Sequence, residues 1–112
     1  MRVLITLSPR MYREAIAHSL SQRRPALEVR IAPPEDAEEE VRAFGPRLLV
    51  RSDNYGIDPG VLEGVPCWVE VLYSDSMDAK ICVEGRLEEA RDISTDELVR
   101  VADEVSARAR ET

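Results

Sequence analysis

The sequence is short of most residues that announce chemistry. It has one histidine, His18, and two cysteines, Cys67 and Cys82, which lack the spacing of a metal-binding pair. His18 has no acid or cysteine at motif spacing, so it reads as a surface or boundary residue rather than a general base. Only Phe44, Trp68, Tyr12, Tyr55 and Tyr73 are aromatic, which leaves the interior to aliphatic side chains. No glycine lies between Leu7 and Arg10, which excludes a glycine-rich phosphate loop before the first helix. Positive charge is also scarce. With 22 acidic and 15 basic residues the net charge is −7, against the needs of a phosphate-backbone binder. The nearest basic patch, Arg23 with Arg24, is followed at once by Pro25 and reads as a solvated helix end. No apolar run has membrane-spanning length and no signal peptide is evident, so a cytoplasmic location without membrane or nucleic-acid partners is expected.

What is present is enough for a core. The chain is 44% hydrophobic and 33% charged over 112 residues, which fits one domain over 1–112 with a frayed tail at 108–112. Residues 2–7 form an apolar run of buried-strand length. Ser8 and Pro9 then suit the cap and first position of a helix reaching about Ser21. Its stripe is Tyr12, Ala15, Ile16, Ser19 and Leu20, with Met11 beside it. Leu27 to Ile31 alternates apolar and charged residues like a strand near a sheet edge. Pro33 and Pro34 break it, and a second helix follows from Glu35 to Phe44, its acidic start favoured by the helix dipole. Ala37, Val41 and Phe44 face inward, Gly45 ends the helix, and Leu48 to Val50 supplies a third strand. This β-α-β-α-β order predicts a parallel sheet with right-handed crossovers.

The rhythm then changes. Residues 51–65 read as a loop with at most one helical turn, 67–73 as a fourth strand and 80–83 as a fifth. The few residues between those strands cannot hold a crossover helix, so an antiparallel hairpin is expected. Glu84 to Arg86 reads as a tight turn into a further extended piece over 87–92. Ser94 with Glu97 has capping-box spacing, and Leu98, Val101, Ala102 and Val105 predict a final helix.

The stretch from Val3 to Ile16, with Leu20 and Leu27 to Val29, resembles the start of a response-regulator receiver domain. Pro46 to Val50 resembles that family's third strand, and Arg91 to Leu98 its junction of last strand and last helix. The resemblance implies a three-layer α/β sandwich with a mostly parallel sheet in the order 2-1-3-4-5. Here an antiparallel C-terminal hairpin stands in place of one crossover helix. It also implies phosphorylation of an aspartate ending the third strand, with Mg²⁺ held by an acidic pair after the first. Thr6 and Leu7 occupy the acidic-pair positions and Ser52 the phosphoacceptor position, with Asp53 its neighbour. Arg91 falls at the family's lysine and Ser74 near its hydroxyl residue. Such a chain would be a degenerate pseudo-receiver.

Ligands of open α/β sheets bind beyond the carboxyl ends of the strands. That rim would hold Thr6, Ser8, Ser52, Asp53, Asn54, Ser74, Asp75 and Arg91, residue types that also serve ordinary capping and turns. Asp75 and Asp78 mimic part of a cation loop without its glycine and terminal glutamate. Cys67 and Cys82 are expected as buried thiols, a cross-strand disulfide being the alternative. Trp68 or Tyr73 could anchor a partner.

No base and nucleophile are paired in the sequence, so the expectation is a non-enzymatic regulatory or scaffold domain without cofactor. It would act by binding another protein or a second copy of itself. The alternatives are an atypical receiver phosphorylated on Asp53 and a small-ligand sensor or minor enzyme at the rim.

Overall fold

Val3, Leu4 and Ile5 have no solvent exposure on either face of the backbone, which sets the first strand in the middle of the sheet. The structure, a computed structural model, describes residues 1–53, 56–72 and 78–111. Six strands form one sheet: β1 Arg2–Thr6, β2 Glu28–Ile31, β3 Leu48–Ser52, β4 Cys67–Val71, β5 Ala79–Val83 and β6 Arg86–Ala90. Their order is β2-β1-β3-β4-β5-β6. The first four are parallel, whereas β4–β5 and β5–β6 are antiparallel. The chain is thus a three-layer α/β sandwich, mostly parallel, ending in an antiparallel meander.

The helices are α1 Arg10–Arg23, α2 Ala37–Phe44, the single turn α3 Pro59–Leu62 and α4 Thr95–Glu111. On one sheet face Ile16 and Leu20 of α1 and Leu98, Val101 and Val105 of α4 pack against Val3, Ile5, Val50, Val69 and Ile81. On the other, Val41 and Phe44 of α2 with Val61 and Leu62 of α3 pack on Leu4 and Leu49. Arg30 and Arg2 lie over the Phe44 ring, 4.7 and 5.5 Å from its centroid.

Several local expectations change. Pro9 rather than Ser8 takes the cap position of α1, and no side chain caps that helix. Ser8 is held instead to β3, its N–H donating to Ser52 Oγ at 3.0 Å. Met11 is 80% exposed, and Ala15 also faces solvent, so the inner stripe narrows to Tyr12, Ile16 and Leu20. A 3-10 turn, Pro34–Asp36, precedes α2. Gly45 ends α2 with φ 62, a conformation glycine adopts without strain. The final helix runs to Glu111, and Arg108 on it lies 3.6 Å from Glu84 in the β5–β6 turn. The extended piece after that turn is a full sixth strand.

The basic pair at the end of α1 is engaged by α4. Arg24 donates to both carboxylate oxygens of Asp103 at 2.8 Å, and Arg23 reaches Asp96 at 2.6 Å. These exposed pairs orient the two helices and add little energy.

Candidate functional site

β1 and β3 end side by side, with Thr6 in register with Arg51, and this brings Thr6, Ser8, Ser52 and Asp53 together at the carboxyl rim. Thr6 and Ser52 are nearly inaccessible, whereas Asp53 is exposed. The Asp53 N–H donates to the carbonyl of Val71 at 3.0 Å, tying the turn after β3 to the end of β4. Asn54, Tyr73, Ser74 and Asp75 lie outside the described residues.

Arg91 is exposed on the bend after β6. The strands β4 and β5 separate β6 from β3, a gap of three spacings or roughly 14 Å. Arg91 therefore stands one strand spacing farther from the β3 end than the last strand of a 2-1-3-4-5 sheet would place it, because the added antiparallel strand carries it outward. It borders a hollow of about 190 Å³ with Leu72, Asp78 and Lys80. The Asp78 carboxylate accepts the Asp92 N–H at 2.9 Å, which fastens the bend after β6 to the start of β5. Asp92 has a positive φ of 49. Burial, and then the charge of Asp92, push the Tyr12 phenol above its usual pKa.

The receiver resemblance implies a divalent cation here. Thr6 and Leu7 stand at the positions of its acidic pair, both buried and together carrying a single hydroxyl. The Ser52 hydroxyl already accepts a backbone N–H. Mg²⁺ wants several oxygen ligands, carboxylates among them, and these residues do not fit it. Among the described residues no three histidine, cysteine or acidic side chains are grouped to hold a metal ion.

Sequence reasoning overlooked two features of the α2/α3 face. The first is an ion pair between Arg51 on β3 and Glu70 on β4, which are register partners. Their side chains are only 8% and 22% exposed. The available signal was a charge interrupting each of two apolar strands.

The second is a row of side chains across five strands: Leu4, Leu49, Trp68, Cys82 and Leu87, each the register partner of the next. Cover is lost at the end of this row. Leu4 and Leu49 are sealed beneath α2, Trp68 packs half-buried against the same cluster, Cys82 is buried, and Leu87 is 69% exposed. The reason is topological. A crossover helix would have covered β4 to β6 on this side, and the chain makes a hairpin instead. Beside the row, Pro59, Leu62, Val65, Pro66, Trp68 and Cys82 line a hollow of about 480 Å³ at the amino end of β4, opposite the carboxyl rim.

The two cysteines lie on opposite faces of the sheet. Cys67 pairs in register with Val83, and Cys82 with Trp68, so the cross-strand disulfide is not formed and both thiols are free. Burial pushes the Cys67 thiol up in pKa. His18 is exposed.

The mixed sheet with helices on both faces is compatible with a Rossmann-like or flavodoxin-like superfold. Comparison with protein-family models, curated proteins and solved structures finds no match. No helix among the described residues is long and apolar enough to cross a membrane.

Proposed function

We propose that this chain is a non-catalytic regulatory or scaffold domain on a receiver-like scaffold, acting through protein–protein contacts at the open face of β4 to β6. The observation that carries this reading is Leu87, 69% exposed on β6 at the end of the row that runs from half-buried Trp68 through Cys82. Trp68, which lines the hollow, is of a residue type enriched in energetically dominant contacts. The rim supplies less. Thr6 is buried and Ser52 is committed to holding Ser8, so both serve the packing of β1 against β3.

A photo-crosslinking residue at position 87, introduced in cells, tests the reading against the same probe at Glu39, an exposed position on α2. The expected result is a specific protein adduct at 87 alone. The captured protein should bind the purified chain, and Leu87→Lys should abolish that binding while leaving the circular dichroism unchanged. Equal labelling at both positions overturns the proposal.

A second reading has one observation in its favour, the exposure of Asp53 directly after β3. An atypical receiver using Asp53 requires an acyl phosphate after treatment with a small phosphodonor and Mg²⁺. The poor donor set predicts that intact-mass analysis finds none. A phosphate that Asp53→Asn removes would establish this reading instead.

A further inference from the structure

Glu84 and Gly85 form a two-residue hairpin turn with φ values of 49 and 87, so Val83 and Arg86 are the first cross-strand pair. In such a hairpin that pair exchanges both backbone hydrogen bonds, and the bonded pairs then alternate along the ladder. Ile81 with Glu88 and Ala79 with Ala90 are therefore bonded pairs. The backbone N–H and C=O groups of Leu87 and Glu89 point away from β5, toward the open edge of the sheet.

No described strand pairs with that edge. Natural sheets protect such an edge with charge, proline, a bulge or a short strand. This one carries Arg86, Glu88 and Glu89, and among them an exposed leucine, Leu87.

We infer that β6 is a homodimerisation strand that pairs antiparallel with β6 of a second copy about a twofold axis at Leu87, joining two six-stranded sheets into one. This rests on reading the open face as a contact surface and adds the identity of the partner. The strand is complementary to itself in this register. Leu87 faces Leu87 of the second copy and exchanges two backbone hydrogen bonds with it. The apolar row from Trp68 through Cys82 to Leu87 then continues into its own copy. On the opposite face Arg86 falls against Glu88 of the second copy, at a non-bonded pair where side chains approach most closely.

Within one chain Arg86 already pairs with Glu104, and Glu88 with Arg100 at 2.8 Å. The new contact links these into a network of alternating charge between the two α4 helices. Sliding the strands by two residues would instead set Glu88 against Glu88, so charge selects the register.

Sedimentation velocity on the purified full chain tests the inference. The wild-type chain should be a dimer. Leu87→Pro removes a donor that points outward and so spares the β5–β6 ladder; it should sediment as a folded monomer. Leu87→Lys should do the same and guards against a proline-specific folding defect. Glu88→Gln, which keeps the size of the side chain and removes its charge, should weaken the dimer and move its dissociation to higher protein concentration. Leu87→Cys should form a disulfide dimer on mild oxidation, and Glu89→Cys should not.

A wild-type monomer at millimolar concentration overturns the inference, as does a dimer untouched by both Leu87 variants or one that Glu88→Gln leaves unchanged. A monomer whose crosslinker at 87 captures a different protein rejects the homodimer and leaves the proposed function standing. A monomer without a specific adduct rejects both.

Discussion

Glu70 sits between Val69 and Val71 in a strand that is otherwise a wall of the core, and it stays there because Arg51 lies beside it across β3. Removing Glu70 takes from Arg51 a carboxylate partner that is largely shielded from water. Glu70→Ala should therefore lower stability, by at most about 3 kcal/mol because Glu70 is one-fifth exposed. Arg51→Met combined with Glu70→Leu should recover most of that loss, since an apolar pair has no charge to desolvate. Urea unfolding measures both, and equal stability of all three proteins would show that the pair has no energetic role. Thr6, Ser8, Ser52 and Asp53 were legible as rim residues because they end strands. Their state was not. Only the neighbouring strand reveals that the Ser52 hydroxyl is already occupied and that Asp53 remains in solvent.

At the scale of the element, local chemistry was the best guide. Ser94 accepts the N–H of Glu97 at 3.3 Å and opens α4, as its spacing predicts. The reciprocal half of the capping box is replaced, because the Glu97 carboxylate takes Arg100 at 3.1 Å. Ser94→Ala should lower stability by about 1 kcal/mol in thermal or chemical unfolding. Glu97→Ala should cost less, as an exposed pair is worth under about 1 kcal/mol. The reverse ranking would mean that Glu97 does most of the capping. The start of α1 misled for the same kind of reason. Ser8 and Pro9 have the composition of a cap, but the contact of Ser8 with Ser52 lies 44 residues away in sequence. Short-range spacing carries no trace of it.

At the scale of the whole molecule, the register of β4 against β5 decides what the two cysteines can do. One residue of offset places Cys67 in the core between the sheet and α1/α4, while Cys82 lies on the other face beside Trp68. Oxidation of the native chain should therefore leave no bond between Cys67 and Cys82. Non-reducing peptide mapping checks this, and a Cys67–Cys82 linkage would contradict the register.

The open face belongs to the same scale. Periodicity and turn chemistry by themselves determined the βα repeats, the hairpin and the final helix, because those signals are written within a few residues of one another. Only the tertiary structure decided that β6 is an edge, that the row from Leu4 to Leu87 runs out from under its helix, and that Arg91 stands away from the β3 end. Each of these depends on which strands become neighbours. That choice is made by packing across the whole sheet, far beyond the reach of local pattern.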